Sequence, residues 1–223
     1  MFIKNKAINP IIYEKTANGE EIHDIFSRLL KERILFIGEE ITSDLANCVV
    51  SQLLWLDKQS QEEAINIYIN SPGGEITSMF AIYDIMQYIK APIYTFVIGS
   101  AASAAAVLLA AGTNGYRFAL PSSEIMIHQP WAAGLQGQIS EIAISTKQLQ
   151  RDKKKMLTIL ARHTGKTYEQ IEKDCDRDFY LDPQTAIKYG IIDKITAPSK
   201  ELPPITRDSN LKKPNLKKTN KKK

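Results

Sequence analysis

Of the three histidines in the chain, His128 lies where a general base would be useful. It ends the segment 124–128, in which Ile125 and Ile127 share one face of a predicted strand, so the imidazole points to the other face. Gln129-Pro130 then ends the strand and places this ring at the lip of a sheet. That position suits proton transfer. A structural, hydrogen-bonded histidine fits the same spacing equally well.

Ser103 is the hydroxyl best placed to be a nucleophile. It lies in GSAASAAA (99–106), which joins an apolar strand to an alanine-rich helix. Backbone N–H groups at the beginning of a helix favour negative charge on a reacting oxygen, and the small side chains leave room for a substrate. An N-cap serine with tightly packed alanines explains the same spacing. The segment is also not the G-x-S-x-G elbow of α/β-hydrolases.

A serine–histidine pair needs a third group that orients the imidazole. Five of the aspartates that follow His128 in the chain are candidates: Asp174, Asp176, Asp178, Asp182 and Asp193. Asp182 is the least suitable because Pro183 follows it, which is typical of a helix N-cap. The residues alone do not choose among the other four.

The segment Ser71-Pro72-Gly73-Gly74 follows a predicted strand and precedes a helix. Paired glycines permit positive φ angles and the close approach of another chain. Exposed backbone N–H groups here could hold an oxyanion or an extended peptide, although a plain turn has the same composition. The chain contains no G-x-x-x-x-G-K-[ST] sequence, so nucleotide binding is not supported.

Strands and helices alternate along the body, which is typical of a layered α/β domain with a parallel or mixed sheet. A helix is expected over Glu21–Arg33, which would contain His23, and a long helix ends near His163 before Gly165. The other expected helices and strands cover residues 34–37, 45–56, 65–70, 76–89, 93–98, 116–120, 124–128, 167 onward, 182–190 and 191–195. We find no internal repeat.

Composition and charge set further bounds. The 223 residues are 43% hydrophobic and 24% charged, as in a globular protein. Cys48 and Cys175 have no zinc or disulfide spacing, which favours a reduced cytoplasmic compartment. Residues 200–223 hold nine Lys/Arg and two Asp/Glu and are expected to be a disordered basic tail. The body has no basic stripe, so nucleic-acid recognition is not expected.

Residues 93–112 carry no charge over twenty positions, the length of a membrane span. The stretch divides into a β-branched and aromatic half, a Gly99-Ser100 break and a weakly apolar alanine-rich half. A buried strand, turn and helix is therefore the better interpretation. The first residues also lack the apolar core of a secretory signal.

Taken together, the segments resemble the ClpP family, the peptidase subunits of ATP-dependent Clp proteases. The similar pieces occur in family order over about residues 8–196. They are SRLLKERILFIG (27–38), YINSPGGEIT (68–77), AIYDIMQYIK (81–90), GSAASAAAVLLAAG (99–112), RFALPSSEIMIHQP (117–130), HTGKTYEQIEKDCDRDFYL (163–181) and A-x-x-YG-x-x-D (186–193).

This resemblance implies a ClpP/crotonase-like fold of repeated strand–turn–helix units with a protruding long helix. It implies a serine endopeptidase with Ser103 as nucleophile, His128 as general base and Asp178 as the third member. The backbone N–H groups of Gly74 and Ala104 would form the oxyanion hole, and a strand near 136–139 would help to bind the substrate. No metal or cofactor is implied.

The resemblance also implies an assembly of two stacked seven-membered rings, fed with unfolded polypeptides by an AAA+ unfoldase of the ClpX, ClpA or ClpC type. Tyr68 and Tyr88 fall where relatives have docking-pocket aromatics, whereas Asn66 stands where a pocket tyrosine is common. The implied organisation is an N-terminal axial segment (1–20), a peptidase domain (21–197) and the basic tail (198–223). The loop after Pro130 is one residue longer than the common form.

Three other interpretations remain open. A crotonase-type acyl-CoA enzyme would share the fold and the backbone oxyanion hole without needing the three side chains. A non-catalytic ring subunit would lack one of them. A membrane-associated peptidase would need a span that the divided segment 93–112 does not provide.

Overall fold

The computed structural model describes residues 10–16, 19–131 and 136–196. Nine strands and seven helices are formed in this part of the chain. The strands are β1 (Ile11–Thr16), β2 (Gly19–Asp24), β3 (Ile34–Ile37), β4 (Ile65–Ser71), β5 (Ile93–Ala102), β6 (Arg117–Ala119), β7 (Glu124–Ile127), β8 (Phe179–Leu181) and β9 (Lys194–Ile195). The helices are α1 (Ile25–Lys31), α2 (Ser43–Gln59), α3 (Ile76–Tyr88), α4 (Ala104–Ala110), α5 (Ile139–Thr164), α6 (Tyr168–Asp174) and α7 (Pro183–Tyr189).

The main sheet is mostly parallel, in the order β3-β4-β5-β6-β9. The long strand β5 pairs with β6 through its first half and with β7 through its second half, both in parallel. Strand β8 then adds to β7 in the antiparallel direction. The predicted α/β class and mostly parallel sheet are therefore confirmed.

The two faces of the sheet differ because alternate residues of a strand point to opposite sides. Leu35, Ile67 and Thr95 are buried against the helices, and all seven residues of α4 are buried with them. On the other face, half-buried aromatic rings lie in register across four neighbouring strands. This aromatic row consists of Phe36, Tyr68, Phe96 and Phe118.

The helix expected over Glu21–Arg33 is partly wrong. Residues 19–24 instead pair with β1 in a hairpin, which places His23 opposite Ile12 in a strand. Helix α1 begins only at Ile25, because the Asp24 carboxylate accepts hydrogen bonds from the N–H groups of Phe26 and Ser27 at 3.0 and 3.1 Å. Asp24 is thus an N-cap that the helical spacing of apolar residues hides.

The other boundaries lie close to the predicted ones. Gly165 ends α5 in the left-handed conformation (φ 71°), and the Thr167 hydroxyl caps α6 at the Gln170 N–H. The closing strand is shorter than expected, since only Lys194–Ile195 pair with β6.

The hairpin of β1 and β2 crosses the predicted domain boundary at residue 20. The domain limits stay predictions, and the basic tail lies outside the described residues.

Candidate active site

Ser103 lies between β5 and α4 in a conformation that L-residues rarely adopt, with φ 55° and ψ −122°. Its N–H donates to the Met126 carbonyl at 2.8 Å, which anchors this turn to β7. The residue occupies the N-cap position of α4, but its hydroxyl makes no capping hydrogen bond. The capping interpretation of Ser103 therefore does not account for the hydroxyl.

The Ser103 hydroxyl instead contacts His128. Strand β7 lies beside the end of β5 with Ala102 opposite Met126, so the residues that follow these two strands meet at one edge of the sheet. The distance from Ser103 Oγ to His128 Nε2 is 2.8 Å. The His128 side chain is 16% exposed, so the ring is largely shielded from water.

The third side chain is supplied by β8. This strand pairs with β7 so that Ile127 lies opposite Phe179, and Asp178 consequently lies beside His128. Asp178 Oδ1 is 3.0 Å from His128 Nδ1. A carboxylate can only accept, so Nδ1 carries the proton and Nε2 of the neutral ring accepts from Ser103.

The other four candidate aspartates have different partners. Asp174 accepts from the Tyr189 hydroxyl, Asp176 from the Gln129 amide, Asp182 from the Thr185 N–H, and Asp193 from Arg117. Asp182 is thus the helix cap that the sequence predicts. Only Asp178 among the five is hydrogen-bonded to His128 in the described part of the chain.

Backbone geometry brings the Gly-rich segment to Ser103. Gly74 forms an isolated bridge with Ile41, in which the Ile41 N–H donates to the Gly73 carbonyl and the Glu75 N–H donates to the Ile41 carbonyl. This pattern does not use the N–H of Gly74. Ala104 is the first residue of α4, where N–H groups have no acceptor within the helix. The sequence did not reveal the role of Ile41, since this residue lies 33 positions before Gly74 and belongs to no motif.

Gly74, Ser103 and Ala104 line one cavity of about 160 Å³. Its remaining walls are mostly apolar side chains, namely Ile76, Met79, Pro130, Trp131, Leu149 and Met156. A second cavity of about 390 Å³ is lined by His128, Trp131 and Asp178, and it shares Trp131 with the first cavity. Space for substrate groups therefore lies beside both Ser103 and His128.

Cys175 is the other nucleophilic side chain near this region, and its chemistry differs. Burial, together with the charge of Asp174, raises the pKa of its thiol to about 12. The thiol is therefore protonated at neutral pH, and a protonated thiol is a poor nucleophile.

The two aromatic residues predicted to dock a partner, Tyr68 and Tyr88, lie on different elements. Tyr68 lies in the aromatic row, with its ring stacked on Phe36 and Phe96 at centroid distances of 5.5 and 4.8 Å. Tyr88 ends α3 and is 77% exposed, and among the described residues no ring contact joins it to Tyr68.

The strand expected near 136–139 is wrong, because Ile139 begins α5 and Gln138 is its N-cap.

A serine, histidine and aspartate hydrogen-bonded in series on an α/β fold have the arrangement found in serine hydrolases. The model of the Clp protease family matches residues 17–199. The chain therefore belongs to the Clp protease family and is a peptidase of the serine type. In the part of the chain that the structure describes, no helix is both long enough and apolar enough to cross a membrane.

Proposed function

We propose that this chain is the proteolytic subunit of an ATP-dependent Clp protease, an endopeptidase that hydrolyses unfolded proteins to small peptides. The observation that carries the proposal is the continuous hydrogen-bonded series from Ser103 Oγ through His128 to Asp178 Oδ1. Its distances of 2.8 and 3.0 Å are those of a preorganised nucleophile, base and orienting carboxylate.

In the proposed mechanism, Ser103 Oγ attacks the carbonyl carbon of a peptide bond while His128 Nε2 accepts the hydroxyl proton. Asp178 holds the Nδ1–H tautomer and stabilises the imidazolium. The developing oxyanion accepts hydrogen bonds from the N–H groups of Gly74 and Ala104. His128 then protonates the leaving amine, and water, activated by the same imidazole, releases the acyl group from Ser103.

The cavity beside Ser103 supports binding of an apolar substrate side chain. Its walls include Ile76, Met79 and Met156, and a volume of about 160 Å³ is large enough for one aliphatic side chain. The main chain of the substrate would bind next to Gly73 and Gly74 as an added strand. Because the strand expected near 136–139 is absent, this edge is the better supported side of the groove.

The aromatic row supports the proposed docking of an AAA+ unfoldase. Its four rings are half-buried, the Phe26 ring of α1 packs against Phe36 at one end of the row, and Tyr88 adds an exposed ring at the end of α3. Such an aromatic surface suits a partner with apolar anchoring residues. We assign ATP hydrolysis to that partner, and we propose that the subunits stack as two seven-membered rings enclosing the active sites.

The test combines a fluorophosphonate probe, a fluorogenic peptide and native mass spectrometry. The wild type is expected to be labelled at Ser103, to cleave the peptide and to assemble. Ser103→Ala should lose labelling and at least about a thousandfold of kcat/KM while still assembling. Ser100→Ala, a serine near the end of the same strand, is the matched control and should retain both activities. An unlabelled wild-type assembly that stays inactive with its unfoldase would overturn the proposal.

A further inference from the structure

The turn that carries Asp178 has few contacts of its own. The Asp178 side chain is 55% exposed, and its one hydrogen bond in the described part of the chain goes to His128. An exposed carboxylate held by one hydrogen bond does not fix its own position, because solvent competes for it and rotamer entropy opposes it. The position of Asp178 must therefore be set by its surroundings, namely the pairing of Phe179 with Ile127 on one side and the residues that hold the turn on the other.

Gln129 makes those contacts from the residue next to His128. Its backbone N–H donates to the Cys175 carbonyl at 2.6 Å. Its side-chain Nε2 donates to the Asp176 carbonyl at 3.0 Å and also lies 3.3 Å from Asp176 Oδ1. Gln129, which follows His128 in the chain, thus holds the turn at Cys175 and Asp176, just before Asp178.

Lys153 of α5 determines which way the Gln129 amide points. Lys153 Nζ donates to Gln129 Oε1 at 2.9 Å and lies 3.8 Å from Glu172 of α6. An ammonium group only donates and a carbonyl only accepts, so Oε1 must face Lys153 and Nε2 must face Asp176. The Lys153 side chain is 30% exposed, so this charge-assisted hydrogen bond is partly shielded from water.

Two backbone hydrogen bonds tie the turn to the end of α6, from the Cys175 N–H to the Ile171 carbonyl at 2.9 Å and from the Asp176 N–H to the Lys173 carbonyl at 3.4 Å. The contact made by Arg177 is weaker. Arg177 Nη1 donates to the Asp176 carbonyl at 3.0 Å and lies 3.7 Å from Asp176 Oδ2. The Arg177 side chain is 84% exposed, and an exposed ion pair between sequence neighbours contributes little to position.

We propose that Gln129 and Lys153 are positioning residues that hold Asp178 in register with His128. The inference rests on the proposed function of the three side chains. Neither residue has a hydrogen bond to Ser103, His128 or Asp178 side chains within the described residues. They act through the turn, so that α5 adds to the β7–β8 pairing in bringing the carboxylate to Nδ1.

The first variants separate positioning from general folding. Lys153→Met removes the donor to Gln129 Oε1 and frees the amide to rotate. A displacement of the order of 1 Å at the acid should lower kcat by about tenfold to a hundredfold. KM should stay within about twofold, because Lys153 lines neither cavity beside Ser103 and His128. Lys153→Arg keeps a cationic donor and should recover most of kcat, and Lys154→Met, at the exposed neighbouring position, should match the wild type.

Gln129→Glu tests the direction of the amide. It keeps the acceptor for Lys153 but places a carboxylate against the Asp176 carbonyl and carboxylate, which should repel the turn. Its loss of kcat should equal or exceed that of Lys153→Met. Native mass spectrometry and the thermal midpoint must show that each variant is assembled and folded.

Crystal structures of the wild type and Lys153→Met give the distance from Asp178 to His128 whether or not peptide is cleaved. The expected result is 3.0 Å in the wild type and a broken hydrogen bond in the variant. An unchanged distance with unchanged kcat would overturn the positioning role. A wild type that is never labelled at Ser103 would instead overturn the proposed function, and the distance would still report on Gln129 and Lys153.

Discussion

At the scale of single residues, Gly73 shows how closely the backbone is packed around Ser103. Its φ is 97°, and a Cβ atom built there would lie 2.7 Å from the Ala102 carbonyl oxygen and 2.8 Å from Ser103 Cβ. Real atoms do not approach so closely, so a side chain at position 73 must displace the Ala102 carbonyl and Ser103. The absence of a side chain here is thus a condition for the 2.8 Å contact between Ser103 and His128.

Gly73→Ala should therefore lose at least about a hundredfold in kcat/KM for a fluorogenic peptide. Gly115→Ala is the matched control, since Gly115 has a similar φ of 88° but no atom within 4 Å of the added methyl group. Both variants should lose about 1 kcal/mol of unfolding free energy from the positive φ alone. Equal activity in the two variants would show that contact with Ser103 is not what constrains position 73.

At the scale of elements, periodicity predicted most helices and strands but not how they meet. Ser103 and His128 were candidates because each follows an apolar strand. The choice of Asp178 depends on the register that sets Ile127 opposite Phe179, and register between segments 50 residues apart has no local signal. In the sequence, the resemblance to the ClpP family singles out Asp178 as the third member, and local spacing does not. The helix predicted over Glu21–Arg33 is wrong at residues 21–24 for the same reason, because pairing with β1 outweighs helical spacing there.

The buried pair Arg117–Asp193 joins three elements, β6, α4 and α5, to the segment before β9. The Arg117 guanidinium on β6 bonds both Asp193 oxygens at 2.7 and 2.9 Å, and it donates to the carbonyls of Ala110 and His163 at the ends of α4 and α5. Burial alone would raise the pKa of Asp193, but the hydrogen bonds and charge of Arg117 outweigh burial and hold that pKa below its usual range. The pair is therefore ionised at neutral pH.

Asp193→Asn should lower the unfolding free energy by about 3 kcal/mol, because it leaves a buried guanidinium without its counter-charge. The matched control is Glu32→Gln, which makes the same chemical change in an exposed pair with Arg28 and should lower it by less than about 0.5 kcal/mol. Denaturant titration followed by circular dichroism measures both values. Similar losses in the two variants would mean that Asp193 is not needed to neutralise Arg117.

At the scale of the whole molecule, the candidate active site and the aromatic row use different parts of one sheet. Ser103 and His128 follow the carboxyl ends of β5 and β7, whereas Tyr68 and its neighbouring rings lie on the half-buried face of the sheet. The opposite, buried face of the sheet packs against α4 and the end of α5. A change that unfolds this core should therefore remove both surfaces together.

His163 makes the stability of that core depend on pH. It lies in the last turn of α5, 3.2 Å from the Tyr83 hydroxyl of α3. Burial, followed by the charges of Arg117 and Arg162, lowers the pKa of His163 to about 4. The unfolded chain binds a proton at this residue near pH 6.5, so between pH 6.5 and 4 the unfolded state holds more protons than the folded state. Stability must then fall as the solution is acidified through that window.

Acidification from pH 7 to pH 5 should lower the unfolding free energy by about 1 kcal/mol through His163, after allowance for its partial exposure to solvent. His163→Gln keeps a hydrogen-bonding side chain that does not titrate, and its denaturation midpoint should change correspondingly less over the same range. A His163→Gln slope equal to that of the wild type would show that burial does not hold this imidazole neutral.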